Sequence, residues 1–447
     1  MAGSTKVLRL DTKDHCVCDF SVDIELTSMN KAAAAAISRG VSFLDRQQRD
    51  WKVTVVRASL SRFLYQMVFP YQSIYTVALG ATATQLGIVN SAGMGVASLM
   101  SPLTGSLIDR FGVKTIYLIG IGFLFMSYLT YGVAQNWTVI IIAMMAYWLG
   151  HTTSVHGCLT VCGNSLANED RATAMTFCET LTAGLLGLVG PMFGALLVTT
   201  FGGVSASGIR PLFFLCFVGT AAAFLLILTQ LSNRRWERPG QTEPAFFSDL
   251  SAVFKQGRNL KRWLVVSSVS YLPMSMVLPF SQVFAHEVKG ADQYILGAMV
   301  TGFALTPLVC GIPLGRLADK IGRKKVLYLI APAFWASNLM LIWTPSPEFL
   351  IATGVLQGFF HICTILTAAM SVELVPPEQM GKWLGIMRFF RLSFGTCSAF
   401  VAGIIWDNIG PQYVFLTVIG LDLLVRIPLL IGMPETLGLR LGAEQKS

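Results

Sequence analysis

The sequence predicts an all-α membrane protein of twelve transmembrane helices in two pseudo-symmetric six-helix bundles, and three observations carry that prediction. The first is composition. The chain is 53% hydrophobic and only 13% charged, with a mean hydropathy of +0.61, whereas a soluble domain carries about 25% charged residues. The second is run length: apolar stretches of roughly 20 residues recur, each long enough to cross a hydrocarbon core about 30 Å thick. The third is a duplicated turn. Residues Gly315 to Lys325 read GRLADKIGRKK, and Gly105 to Thr115 read GSLIDRFGVKT. Gly105, Asp109 and Gly112 keep the spacing of Gly315, Asp319 and Gly322 at an offset of about 210 residues, near half the chain. Each turn lies between long apolar runs, which marks a duplicated membrane protein.

Taken in order, residues 1–52 form a polar, charged tail without an apolar signal segment or cleavage site. His15, Cys16 and Cys18 stand together there, but a structural metal site takes about four ligands, so neither a metal nor another cofactor is expected. The first bundle occupies residues 53–231, with spans at about 54–78, 85–107, 114–134, 138–163, 172–199 and 211–231. Residues 232–262, beginning with a polar NRRWERPGQTEP stretch, form the linker. The second bundle occupies 263–433, with spans at about 263–286, 294–314, 325–344, 348–372, 381–406 and 412–433, and 434–447 make a C-terminal tail. Helices are the open-chain way to satisfy backbone polar groups in lipid. Arg110, Lys114, Arg171, Arg234, Arg235, Arg238, Lys255, Arg258, Lys261, Arg262 and the group from Arg316 to Lys325 fall on one side, against Arg210 and Lys289 on the other. By the positive-inside rule both tails and the linker are cytoplasmic and the chain sits in the cell membrane. The net charge of +9 is thereby a topology signal, and no nucleic-acid partner is expected. Cysteines such as Cys158, Cys162 and Cys178 lie in spans as small apolar residues. The sequon at Asn136, Trp137 and Thr138 sits in a loop too short for glycosylation to be expected.

The repeat extends beyond the turns. Gly150 in the fourth span matches Gly358 in the tenth, ANEDRATAM at Ala167–Met175 matches PEQMGKWLGIM at Pro377–Met387, and Gly184 falls opposite Gly395. The pattern Gly315-x-Leu317-Ala318-Asp319-Lys320-x-Gly322-Arg323-Lys324-Lys325 resembles the loop between the second and third helices of each half in the major facilitator superfamily of secondary transporters. The first copy keeps its glycines, Asp109 and Arg110, with Val113 where a basic residue is usual. The resemblance spans nearly the whole chain outside the N-terminal tail and implies that family's fold. Small residues at Gly105 and Gly315 allow close helix approach. Asp109 and Asp319 can accept hydrogen bonds from a neighbouring helix N-terminus or pair with an arginine. Gly105, Asp109, Arg110, Gly112, Gly315, Asp319, Gly322 and Arg323 therefore read as a conformational latch, made in one state and broken in another. The lysines of the turn read as topogenic.

In the fifth span, Gly187, Gly190, Pro191 and Gly194 form a small-residue stripe suited to tight helix packing, with a proline bend. The stretch resembles the antiporter motif of the family's drug:proton antiporters, gxxxGPxxGG, with Ala195 in place of the last glycine. Ordinary helix packing accounts for it equally well. The companion arginine-xxQG signature is absent: Ala146 and Leu149 precede Gly150, and Gly354 precedes Gln357 and Gly358. This departure speaks against antiport of the drug-efflux type.

Ionisable residues inside spans are costly in lipid and face partners or water-filled cavities. His151, His361, Arg391 and Asp422 fall near the bilayer middle; Arg62, Glu179 and Arg388 lie shallower. Arg62, Tyr65, Gln66, His151, Tyr271, His361 and Arg391 are the candidate substrate contacts. The tyrosines and Gln66 enter because the first and seventh spans line the cavity in the resembled family. Two arginines three residues apart, Arg388 and Arg391, suit an anion, since a guanidinium matches a carboxylate bidentately. Glu179 and Asp422 are the candidate proton-coupling residues, although Asp422 and Arg426 are also spaced to pair on their own helix. His151, His156 and His361 titrate in the working pH range or serve as packing residues.

The functional expectation is a secondary active carrier that moves a small organic solute by alternating access, coupled to protons, with an organic anion slightly favoured. A proton-driven multidrug exporter is the alternative within transport. A non-transporting receptor or adaptor on the same scaffold is the alternative of another class. An enzyme is not expected, for no nucleophile–base pair, phosphate loop or metal spacing is found. The expected partners are a small-molecule substrate, the lipid bilayer and protons, and the expected state is a monomer.

Overall fold

The computed structural model describes residues 47–165, 186–232, 258–374 and 380–436. Their architecture is all-α: α1 (Arg49–Ala78), α2 (Ala83–Met100), α3 (Leu103–Phe111), α4 (Val113–Val133), α5 (Trp137–Ser165), α6 (Leu186–Thr200) and α7 (Ala206–Gln230) in the first half. The second half contains α8 (Arg258–Val269), α9 (Leu278–Val283), α10 (Gln293–Ile321), α11 (Arg323–Trp343), α12 (Leu350–Gln357), α13 (Phe359–Glu373), α14 (Met380–Asn408), α15 (Pro411–Leu421) and α16 (Ile427–Ile431). Among the described residues nine helices are long and apolar enough to cross a bilayer, and α6 is a shorter apolar one. Two further helices, α1 and α2, complete the first bundle on the inside. The first carries Arg57, Gln66 and Thr76 as buried polar residues, which lowers its hydropathy because it faces protein rather than lipid.

Several predicted spans are interrupted, each for a local reason. The second breaks between α2 and α3 at Ser101 and Pro102, the proline offering no N–H to the helical ladder. The seventh passes from α8 through a widened π-type turn at Pro273–Val277, again at a proline. The tenth breaks at Gly358, and the twelfth widens at Asp422–Arg426. Such irregular backbone inside a membrane protein is tolerated where protein or a cavity, not lipid, surrounds it.

The duplication is visible in the backbone. Gly112 (φ +83°) and Gly322 (φ +109°) take the same left-handed turn between the second and third helices of their halves. That conformation is open to glycine and strained for other residues. Four cations repeat as a second signature. Lys114 donates to the Leu231 carbonyl at 2.7 Å, and Lys324 donates to the carbonyls of Met433 at 2.7 Å and Ile431 at 2.9 Å. At the opposite face, Arg210 donates to the Ala134 carbonyl at 2.7 Å, and Lys289 to those of Ile342 at 2.7 Å and Thr344 at 3.1 Å. Each cation satisfies the free carbonyls at a helix C-terminus, where the helix dipole also favours positive charge. Lys114 and Lys324 of the signature turns are thus helix caps.

The halves meet along two glycine seams. A Cβ at Gly87 of α2 would lie 2.6 Å from the Ala399 carbonyl of α14, and one at Gly297 of α10 would lie 2.9 Å from the Pro191 carbonyl of α6. The seams are related by the internal repeat. Hydrogen bonds run beside them: Thr84 N–H to Asp407 at 2.7 Å, Ser91 to the Thr396 carbonyl at 2.7 Å, and Ser98 to the Phe389 carbonyl at 3.1 Å. On the second seam Thr301 donates to the Leu188 carbonyl at 3.2 Å, and Tyr71 donates to the Gln293 carbonyl at 2.9 Å. These described contacts draw the halves together at the face remote from the signature turns.

Candidate substrate site

Between the halves α1, α5, α14 and the turn that follows α8 bring cations and aromatic rings together. On α5, Tyr147 and His151 are one turn apart and stack at 5.8 Å and 14°, and Tyr65 of α1 stacks on the other side of Tyr147 at 5.7 Å and 17°. Trp148 meets His151 edge-on at 6.0 Å. Arg62 lies one turn from Tyr65 on α1. Across the centre, the Arg391 guanidinium of α14 lies 5.0 Å from the Tyr271 ring centroid, a cation–π contact. The Tyr65–Tyr147 stack of the first half and the Arg391–Tyr271 contact of the second thus stand in opposite halves.

The Nε atoms of Arg62 and Arg391 are buried and have no hydrogen-bond partner among the described residues. A buried guanidinium N–H without an acceptor is costly. Just beyond the arginines, toward the opposite face, a pocket is lined by Tyr65, Phe69, Tyr147 and Trp148 of the first half and Met274 and Leu278 of the second. Gln72 and Asn90 supply neutral polar groups to its wall.

The other sequence candidates fall elsewhere. Gln66 is buried and packs through its Cβ against Gly190 of α6. The edge of His361 meets Phe303 at 6.4 Å. Asp422 lies in a closed cluster in the second half, accepting from Arg426 Nη2 at 2.8 Å, from Arg426 Nε, and from Trp335 Nε1 at 2.7 Å. Its oxygens are occupied there and do not face the central arginines. Gly190 and Gly194 pack on α1, against Phe63, Gln66 and Met67, while Pro191 receives Gly297; Gly187 is buried on the same helix. Glu179, Cys178, Gly184 and the Ala167–Met175 repeat lie outside the described residues, as do His15, Cys16, Cys18 and the side chain of His156. Sequence reading passed over Arg57, which is buried, donates to Tyr117 Oη at 3.3 Å and also acts on His151. It passed over Tyr147 and Trp148 too, whose signal was their place one turn before an intramembrane histidine.

At the second signature turn the neighbouring helix N-terminus is capped by a carboxylate other than Asp319, while Asp319 keeps the arginine pairing that the sequence also allowed. The N-terminus of α11 is capped by Glu435, which accepts from the N–H groups of Arg323 at 3.0 Å and Lys324 at 3.4 Å. A Cβ on Gly322 would lie 2.6 Å from that carboxylate. Asp319 is 67% exposed and stands 3.7 Å from Arg323, whose shorter ion pair is with Glu373 at 2.9 Å. Asp319 lies in the last turn of α10 and is exposed, whereas Glu435 reaches the N–H groups that follow Gly322, so the cap falls to Glu435. Gly315 has open space rather than a neighbouring helix against it. In the first copy Arg110 is exposed and stacks near Phe111 at 5.4 Å; the side-chain surroundings of Gly105 and Asp109 lie outside the described set.

The sequence matches the family model of the Major Facilitator Superfamily over residues 56–298 and 263–444. Multidrug resistance protein MdtG of Escherichia coli is 24% identical over 395 residues, which cover 84% of this chain and 93% of that protein. Among solved structures, the nucleoside transporter NupG aligns with a TM-score of 0.71 at 15% identity, covering 86% of this chain and 99% of that one. A D-xylose-proton symporter aligns at 0.67 and 13% identity, covering 86% and 98%.

Proposed function

This chain belongs to the Major Facilitator Superfamily and is an integral membrane transporter, and we propose that its cargo is a small organic anion, moved by alternating access and coupled to protons. One observation supports the anion above all: Arg62 and Arg391, contributed by opposite halves, carry buried guanidinium Nε atoms without hydrogen-bond partners among the described residues. A carboxylate placed between them would gain charge-assisted hydrogen bonds and relieve their burial. It would also tie residues 53–231 to residues 263–433 through the substrate itself, which links binding to the rocking of one bundle against the other. On this reading Glu179 carries the proton, both termini face the cytoplasm and the monomer is the working unit.

The test is uptake into proteoliposomes under an imposed pH gradient, with a panel of organic anions and cationic dyes. Anion flux that collapses in Arg391→Ala, and that loses its response to the gradient in Glu179→Gln, is the expected result. Flux of cationic dyes alone, lost in Glu179→Gln and retained in Arg391→Ala, would replace it with the second reading, proton-driven export of several lipophilic solutes. That reading draws support from the likeness to a multidrug resistance protein and from the glycine–proline stripe of α6.

A further inference from the structure

Resting on the anion reading, we infer that the preferred cargo is an aromatic carboxylate, its acid group held at the arginine layer and its planar ring in the pocket one turn beyond. The register of the helices sets the two parts in line. On α1, Arg62 is followed one turn later by Tyr65 and two turns later by Phe69, the latter two lining the pocket. Along the seventh span, Tyr271 holds Arg391, and Met274 and Leu278, one and two turns on, line the same pocket. On α5, Tyr147 and Trp148 line the pocket one turn before His151. A ligand entering from the arginines therefore meets a cationic layer first and an aromatic one second.

The wall selects for shape as well as polarity. Tyr65 and Tyr147 lie nearly parallel, at 17°, with Trp148 edge-on to the neighbouring His151. A flat ring can extend this stack by offset or edge contacts, which favour aromatic partners over saturated ones of equal area. Met274 adds a polarizable sulfur suited to a ring edge. Gln72 Nε2 is already directed to Tyr131 Oη at 2.8 Å, and Asn90 donates to its own helix at the Leu86 carbonyl at 2.9 Å. The amide nitrogens of Gln72 and Asn90 are thus engaged with protein, which leaves fewer donors for a sugar-like, many-hydroxyl cargo. The distance from the arginines to the pocket is about one helical turn, roughly 5 Å, which fits a carboxyl joined directly to a ring.

Radiolabelled benzoate binding to the full-length protein in nanodiscs tests this, with unlabelled cyclohexanecarboxylate and benzyl alcohol as competitors. The two acids share charge and size and differ in planarity; the alcohol keeps the ring and lacks the charge. Cyclohexanecarboxylate should compete about fivefold to tenfold less well than benzoate, and benzyl alcohol at least tenfold less well. Tyr147→Leu should weaken benzoate about fivefold more than it weakens cyclohexanecarboxylate, while Tyr147→Phe should keep the preference. Equal competition by the two acids would overturn the aromatic assignment and leave the anion reading standing. Competition by benzyl alcohol equal to benzoate would overturn the anion reading itself. Absence of displaceable benzoate binding would overturn the aromatic assignment, with the anion flux assay deciding the parent reading separately.

Discussion

Replacing Gly87 by alanine should open the seam between the halves. The added Cβ would lie 2.6 Å from the Ala399 carbonyl oxygen and 3.4 Å from the Cα atoms of Gly403 and Phe400. A comfortable carbon–oxygen contact is about 3.3 Å or more, so α2 and α14 must separate by roughly 0.7 Å. The obstacles are backbone atoms, and no rotamer change relieves them. Overpacking of this kind costs about 1–3 kcal/mol, and it acts only on the state in which the seam is closed. At about 1.4 kcal/mol per factor of ten, the equilibrium should move between roughly fivefold and 150-fold toward states with the seam apart. Spin labels at Ala78→Cys and Asn408→Cys, in a cysteine-free background, would report this by double electron–electron resonance as growth of a longer-distance population. Gly122→Ala is the control, since a Cβ there meets nothing within 4 Å. An unchanged distance distribution in Gly87→Ala would refute the argument that this seam holds the closed face.

Three further outcomes follow from the same geometry. Asp422→Ala leaves Arg426 buried without its partner and should destabilise the protein by about 3–5 kcal/mol, read as a large fall in thermal melting of the detergent-solubilised protein. Glu435→Gln should lower stability by about 1 kcal/mol, with Asp319→Asn nearly silent in the same melt; the reverse order would restore Asp319 as the cap. Lys289→Met strips the Ile342 and Thr344 carbonyls of a charged donor and should cost about 1–3 kcal/mol, measured by the same melting assay, with Arg210→Met behaving alike through Ala134.

Much of the fold was legible because lipid imposes a simple code. Long apolar runs must be helices, and the two turns at Gly112 and Gly322 announce the duplication, since both need a backbone that glycine supplies. The breaks at Pro102 and Pro273 were legible only in part, because a proline in a span sometimes bends a helix and sometimes divides it. Arg62 and Arg391 could be proposed as charges inside spans, and Tyr65 and Tyr271 from the resemblance, yet their placement depends on the rotation of three spans, which no single span reveals. Gln66 shows the limit: one residue past Tyr65, it turns about 100° around α1 and packs on α6 instead of facing the centre. Glu435 was illegible for another reason, since its partner lies more than a hundred residues earlier and a lone acid after the last span carries no pattern.

The seams have an evolutionary consequence. On one side of each seam stands a backbone carbonyl, of Ala399 or of Pro191, which every amino acid possesses, so no substitution there removes it. Their other side is glycine, which cannot be made smaller. Mutational drift at Gly87 and Gly297 can therefore move in one direction only, toward a looser closed face, and inherited variation there acts as a one-way dial on which side of the membrane the carrier prefers to face.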